Sequence, residues 1–293
     1  MQFEGDPIMK MPPFEYACPT TLSEAVALLA SRDGEAKAIA GGQSLVPMLA
    51  FRLAAPALLV DLRKLADLRQ IKISKSGVAL GAMVRWRDIE DDRRLRTAHP
   101  LLVAAIAHVA HYQIRNRGTV GGSIAHADPA AEMPGIAVTC EAEIAIVGQS
   151  GPRVIRAADF FVGPLMTTLR PDEIIVEIRL PAWPERRRWG FQEFARRRGD
   201  FAMAAAAVFY DQDDSGKARN AHVGVIGVGD RPLRLTQVEA VLNGRAVDEA
   251  AIADAEAAAS AAVDPQNDIH ASAAYRRALV GTMVERALKS ASA

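Results

Sequence analysis

The chain has 293 residues, 50 % apolar and 24 % charged, with 35 Lys+Arg against 35 Asp+Glu. That length favours two domains over one, and the neutral balance leaves no electrostatic footprint for nucleic acid or anionic lipid. Cys18 and Cys140 are the only cysteines, which excludes a disulfide framework and gives no paired spacing for a structural zinc or iron–sulfur site.

The opening MQFEGDPIMKMPPFEY does not join a basic end to an apolar run, and no segment nears the ~20 apolar residues of a bilayer span. Neither export nor membrane insertion is expected, and the expected compartment is the reducing cytoplasm. Thr21, three residues ahead of Glu24, predicts a capped helix start, and AVALLA supplies its apolar face. After the turn Ser31-Arg32-Asp33-Gly34, residues 37–40 predict a short strand that ends at Gly41-Gly42. ALLVDL at 57–62 and VALGA at 78–82 predict further strands. Residues 98–112 carry apolar side chains and His at a helical period, and that helix is expected to stop near Arg115-Asn116-Arg117-Gly118.

Strands are expected at 142–147 and 173–180. The second runs into LPAWPERRRWG, whose prolines, basic cluster and aromatics predict a domain boundary near residue 182. Beyond it, WGFQEFARR, AMAAAAVFYD and ARNAHVGVIGVG predict antiparallel strands, with Asp213-Asp214-Ser215-Gly216 as a hairpin loop. Ala-rich runs at 248–263 and 273–291 predict closing helices.

Two segments carry chemistry. Ala40-Gly41-Gly42-Gln43-Ser44 places two residues without Cβ at the end of a strand, where successive main-chain N–H groups can form a nest for phosphate oxygens. Ser44 adds a hydroxyl, Gln43 an amide, and Pro47 stiffens the exit. The second segment, Thr119-Val120-Gly121-Gly122-Ser123, is expected as a second loop and repeats Gly-Gly followed by a small hydroxyl residue. It continues to Asp128 and Glu132, acids that a pyrophosphate would repel and that suit a sugar or ribityl chain with hydroxyls to donate. Neither segment has the spacing of a P-loop or a Rossmann fingerprint. Gly224-x-x-Gly227-x-Gly229 reverses the Rossmann order and reads as a turn or close backbone contact.

Other candidates read as structural. His108 and His111 have metal-compatible helical spacing but no third ligand nearby. Arg186-Arg187-Arg188 reads as a solvated loop with one salt-bridged arginine. Arg196-Arg197-Arg198 could stabilise negative charge on a bound ligand or pair with acids of the other domain. No Ser-His-Asp order, paired-carboxylate motif or HExxH appears.

AGGQSLVPMLAFRL at 40–53 and QIRNRGTVGGSIAHADPAAEMP at 113–134 resemble the paired FAD-binding signatures of the medium subunits of molybdenum hydroxylases, the carbon monoxide dehydrogenase and xanthine dehydrogenase family. The resemblance continues through RRRGDFAMAAAAV at 196–208 and covers nearly the whole chain. It implies an α+β fold. An FAD-binding domain of the vanillyl-alcohol oxidase type would occupy 1–182, as subdomains of about 1–62 and 63–182, and an α+β domain with a three-stranded antiparallel sheet and helices would occupy 183–293.

By motif position, Ala40, Gly41, Gly42, Gln43 and Ser44 would hold the pyrophosphate of FAD, with Ile39 close by. Thr119, Gly121, Gly122 and Ser123 would clamp its other side. Glu132, and secondarily Asp128, would bind FAD hydroxyls, Ile175 would line the flavin pocket, and Phe201 would lie over the ring. Gln192 stands where xanthine dehydrogenases carry a lysine near the flavin, which weighs against a nicotinamide acceptor.

The implied role is electron transfer. FAD would take electrons from the [2Fe-2S] clusters of a small partner subunit, fed by a molybdopterin-molybdenum centre in a large one, and pass them to an external acceptor. The expected assembly is a dimer of heterotrimers. Two other readings stand beside it. A self-contained flavin oxidoreductase of the vanillyl-alcohol oxidase type would need a catalytic base or a covalent His or Cys linkage, and an assembly protein that has lost FAD would not need intact glycines. The Cys-rich insertion of 4-hydroxybenzoyl-CoA reductase-like subunits is lacking.

Overall fold

The structure, a computed structural model, describes residues 11–292. The first ten residues, on which the expectation about export partly rests, lie outside the described residues. The chain begins with β1 (Glu15–Ala17), α1 (Leu22–Ala30), β2 (Ala36–Ile39), α2 (Leu45–Ala50) and β3 (Leu58–Asp61). The strands form a parallel sheet in the order β1-β3-β2. Thr21 caps α1, its hydroxyl accepting the Glu24 N–H, and the Glu24 carboxylate reaches back to the Thr20 N–H. Ala25, Val26 and Leu29 bury the apolar face of α1 in a core shared with Leu58 and Val60 of β3.

A second unit contains β4 (Ile71–Ser74), β5 (Gly77–Gly81), α3 (Trp86–Asp91), α4 (Leu95–Ala98), α5 (Pro100–Ile106), α6 (Tyr112–Arg115), α7 (Val120–His126) and α8 (Glu132–Thr139). It continues with β6 (Glu143–Gly148), β7 (Gly151–Arg156), α9 (Ala157–Phe160), β8 (Phe161–Gly163), β9 (Met166–Thr167) and β10 (Ile174–Pro181). Its main sheet is antiparallel, in the order β4-β5-β10-β6-β7. The single helix expected over 98–112 is interrupted, because α5 stops at Ile106 and Ala110 takes a φ of 40°. The break is chemically satisfied. Arg115 donates to the carbonyls of Val109 and Ala110, which the break leaves outside a helix, and pairs with Glu90.

The last unit is β11 (Arg188–Phe194), β12 (Ala204–Gln212), β13 (Ala218–Ile226), β14 (Leu233–Arg234), α10 (Thr236–Leu242), α11 (Glu249–Ala262) and α12 (Ala273–Ser292). Its antiparallel sheet has four strands, not the three expected, because Leu233-Arg234 pairs with Val225 and Gly224 at the edge. Two residues are too few for any period to show in the sequence. Both faces of this sheet are covered. Ala205, Ala207 and Phe209 of β12 enter the core of the second unit, while Ala204, Ala206, Val208 and Tyr210 pack among the C-terminal helices. An unbroken apolar run of small residues is what such a strand requires.

Bare glycine surfaces let the helices approach this sheet. A Cβ on Gly190 would stand 2.0 Å from the Ala287 carbonyl oxygen of α12, and one on Gly224 would stand 1.7 Å from Thr139 Oγ1 of α8. A ladder of rings binds the second and third units: His99 lies 4.6 Å from Trp183, Trp183 5.4 Å from Phe209, and Phe209 stacks on His222 at 4.4 Å. His222 Nδ1 then meets the Thr139 carbonyl at 2.8 Å. No helix of the described residues is long and apolar enough to cross a membrane.

Candidate functional site

The two glycine segments, about 80 residues apart in sequence, meet in space. A Cβ on Gly41 would lie 2.1 Å from the carbonyl oxygen of Arg117, and one on Gly122 would lie 3.8 Å from the Cβ of Ala40. Both segments border one cavity of about 2110 Å³ walled by all three units. That volume exceeds the roughly 300–1,000 Å³ of ordinary small-molecule sites and suits an extended ligand.

The first segment is a strand-to-helix turn between β2 and α2. Gly42 has a φ of 73°, a left-handed conformation that favours glycine. Among the described residues, the N–H groups of Gly41, Gly42, Gln43 and Ser44 find no protein acceptor, although all four residues border the cavity. Ser44 stands at the N-cap of α2 without a side-chain cap bond. Gln43 differs from the sequence expectation, since its amide donates to the Gly41 carbonyl at 2.9 Å and braces the turn. The result is a nest of unpaired donors, the chemistry that holds phosphate oxygens.

The second segment is not a loop. Val120–His126 is helical, so Gly121 and Gly122 sit in its first turn. Their N–H groups are already engaged: Gly121 donates to the Ala82 carbonyl, Gly122 to Thr119 Oγ1 and Ser123 to the Thr119 carbonyl. These glycines serve close approach. A Cβ on Gly121 would fall 2.5 Å from the Cβ of Ala82, so the bare first turn brings the helix against β5 and leaves the Thr119, Gly122 and Ser123 surface open to the cavity.

The acids beyond it divide. Asp128 Oδ1 accepts the Ala130 N–H and shapes the turn into α8. Glu132 opens α8 and borders the cavity while nearly buried. A carboxylate in a helix's first turn is favoured by roughly 0.3–1 kcal/mol, but burial dominates here. Burial first, then the negative field of Glu193, raises the Glu132 carboxyl to about 8. At neutral pH it is therefore mainly a protonated carboxyl able to donate as well as accept.

The remaining expected residues, Ile39, Ala40, Ile175 and Phe201, line the same cavity. Ile175 is buried on β10 beside a bulge, and Phe201 is 69 % exposed at the cavity wall. The turn carrying Phe201 is pinned by Gly199, whose φ is 89° and whose Cβ would lie 2.6 Å from His111 Nδ1. Gln192 lies on β11 and is not among the cavity residues. Sequence reasoning missed Lys37, Leu165, Met203 and Arg276, which also border the cavity. Arg276 is buried and donates to the Met203 and Gly227 carbonyls and to Asp268. Met203 lies two residues beyond Phe201 in the segment 196–208, whereas no motif announces Lys37, Leu165 or Arg276, which tertiary folding brings to the site.

Of the other candidates, Arg196 reaches the cavity and donates to the His270 carbonyl. Arg187 is the salt-bridged member of its run, forking onto Asp211 beneath the faces of Phe209 and Trp183. Burial lifts the Cys140 thiol to about 12, so it packs as a small apolar group.

A parallel three-stranded unit, an antiparallel unit and a capping sheet around one dinucleotide-sized cleft define a flavoprotein class, and comparison with known proteins names it. Residues 12–183 match the family described as FAD binding domain in molybdopterin dehydrogenase, and residues 189–291 match the CO dehydrogenase flavoprotein C-terminal domain. The chain belongs to this family, the FAD-binding medium subunits of the molybdenum hydroxylases, and is an oxidoreductase subunit. It is 39 % identical over 283 residues to the 6-hydroxypseudooxynicotine dehydrogenase complex subunit alpha of Paenarthrobacter nicotinovorans, covering 97 % of this chain and 96 % of that one. The nicotine 6-hydroxylase medium subunit of the same organism is 38 % identical, with 97 % and 99 % covered. Among solved structures, carbon monoxide dehydrogenase from Hydrogenophaga pseudoflava superposes with a TM-score of 0.93 at 38 % identity, covering 97 % of this chain and 98 % of that one.

The cofactor of this family fits the residues present. The unpaired amides of residues 41–44 suit a pyrophosphate, and a buried protonated carboxyl at Glu132 suits hydroxyl or carbonyl groups of a flavin.

Proposed function

We propose that this chain is the electron-transfer subunit of a heterotrimeric molybdenum-containing hydroxylase or dehydrogenase. It would accept electrons from [2Fe-2S] clusters of a small partner, fed by a molybdopterin-molybdenum centre in a large partner, and hand them to an external acceptor. The assembly would be a dimer of heterotrimers in the cytoplasm. Bound FAD would supply the exchange between one-electron donors and a two-electron acceptor.

In this reading the protein binds and orients. The main-chain N–H groups of Gly41, Gly42 and Ser44, with the Ser44 hydroxyl, hold the pyrophosphate, and Gln43 braces their turn. Ile39 and Ala40 pack beside it. Thr119, Gly121, Gly122 and Ser123 form the opposite wall, Glu132 and Asp128 meet the hydroxyl-bearing part, Ile175 backs the ring and Phe201 covers it. The FAD-binding domain ends near residue 182, although Phe209 and Phe191 share a core with residues on its other side.

One observation carries the proposal: both glycine segments, Glu132, Ile175 and Phe201 border a single cavity in a chain of this family. The purified chain is expected to carry a flavin spectrum or to take up added FAD stoichiometrically. Mixed with its two partner subunits, it should restore substrate-dependent reduction of a dye acceptor. A chain that stays colourless with excess FAD would remove the proposal.

A further inference from the structure

The exposed Phe201 sits between two anchors. On one side Gly199 is pinned against His111. On the other, two residues further along, the Met203 carbonyl is gripped by Arg276, a side chain to which the proposed FAD site assigns nothing. Arg276 belongs to the first turn of α12, with its side chain only 10 % exposed. Its Nη1 donates to the Met203 carbonyl at 2.9 Å and to the Gly227 carbonyl at 2.6 Å, and its Nη2 donates to Asp268 Oδ2 at 2.6 Å. Phe201, Met203, Gly227, Asp268 and Arg276 all border the cavity.

The sheet itself cannot hold these carbonyls. The last β12–β13 pair is Ala205 with Ile226, so Met203 and Gly227 lie just past the ladder, and among the described residues no backbone N–H donates to either carbonyl. Gly227 lets the two chain ends close together, because its φ is 76° and a Cβ there would lie 2.6 Å from the Ala202 carbonyl oxygen. A buried carbonyl without a donor is costly, and a planar guanidinium can serve two carbonyls and a carboxylate at once. Helix stability does not explain the position, since the dipole disfavours a cation in the first turn. Local rules are broken in this way where the site requires it.

We propose that Arg276 is the positioning residue of the third-unit wall: it clamps the segments of Met203, Gly227 and Asp268 together and so fixes where Phe201 stands in the cavity. Its consequence for the flavin rests on the FAD-binding reading. The clamp touches none of residues 41–44, so it governs the surroundings of the ring and not the hold on the pyrophosphate. The Gly227 N–H donates in turn to the Pro129 carbonyl at 3.0 Å, which carries the clamp to the turn before Glu132.

The test uses the full chain with and without FAD. Arg276→Met removes the fork at similar length, and Phe201→Ala serves as reference. Loaded with FAD, Arg276→Met should keep the cofactor while its visible flavin circular dichroism moves toward that of Phe201→Ala. Adding Arg276→Met to Phe201→Ala should then change the dichroism no further, whereas a general loosening would act in both backgrounds. Should Arg276→Met not fold, Arg276→Lys, which keeps the charge and loses the fork, should show the same direction of change. In the FAD-free chain, hydrogen exchange at the Met203 and Gly227 amides, bonded to the Phe194 and Pro129 carbonyls, should quicken about tenfold or more in the folded Arg276 variant. Wild-type dichroism in that variant, an equal change with and without Phe201, or loss of FAD from it would each overturn the positioning role. A wild-type chain that takes up no FAD would instead overturn the preceding reading, and the exchange rates alone would then decide the clamp, unchanged rates denying it.

Discussion

Gly41 lies so tightly under Arg117 that a Cβ would stand 2.1 Å from the Arg117 carbonyl oxygen. Backbone atoms on that side leave no flexible group to move away. Gly41→Ala should therefore separate the two segments, lowering stability by roughly 1–3 kcal/mol and abolishing flavin retention together. Denaturant unfolding and the flavin absorbance of the purified variant check this, and full cofactor content at wild-type stability would contradict it.

Ser44 gives the opposite contrast. Its hydroxyl has no cap bond and borders the cavity. Ser44→Ala should leave stability within about 0.5 kcal/mol and weaken FAD binding by the roughly 0.5–1.5 kcal/mol of one hydrogen bond. Fluorescence titration of FAD against the stripped chain reads this directly, and an unchanged dissociation constant would take Ser44 out of the pyrophosphate contact.

Glu132 makes the FAD-free chain sensitive to alkali. Its carboxyl is raised from 4.5 to about 8, so the folded state binds the proton more tightly than the unfolded one. The linked stabilisation is complete below about pH 4.5 and is lost as pH rises through about 8. Glu193, raised to about 7, acts in the same direction. Glu132→Gln should flatten this decline and be more stable than the wild type near pH 8. Thermal midpoints of the two proteins across this range provide the check, and parallel curves would count against it.

Arg187 fastens the third unit. It forks onto Asp211 at 2.9 and 3.0 Å, with its side chain only 10 % exposed. Asp211 is 32 % exposed, so Arg187→Ala should fall near or below the low end of the roughly 3–5 kcal/mol seen when buried pairs lose one partner. Arg187→Lys, which keeps charge but loses the fork, should lose less. Urea unfolding of both variants measures the difference, and equal losses would deny the fork its role.

The sequence announced whatever local chemistry determines. Thr21 marked a helix start, the Ala-rich run of β12 an antiparallel strand, and Gly41-Gly42 a turn. It was silent where the outcome depends on distant partners. The interruption after Ile106 is compensated by Arg115, which no helical period reveals. Gly121 and Gly122 read as a loop because glycine is a poor helix former, yet contact with Ala82 selects glycine inside a helical turn. The edge strands β4 and β7 were not expected, since Ile71-Lys72-Ile73-Ser74 alternates too briefly to stand out from loop and Gly151-Pro152-Arg153-Val154-Ile155-Arg156 shows no apolar–polar alternation and opens on Gly-Pro.

The cavity draws its walls from all three units, which makes its occupant a keystone. A ligand that binds only the assembled arch stabilises it by mass action, by about 2.7 kcal/mol at a hundredfold excess over its dissociation constant. The lifetime of this chain in the cell is thereby tied to flavin supply, and a starved cell would lose the protein as well as its activity.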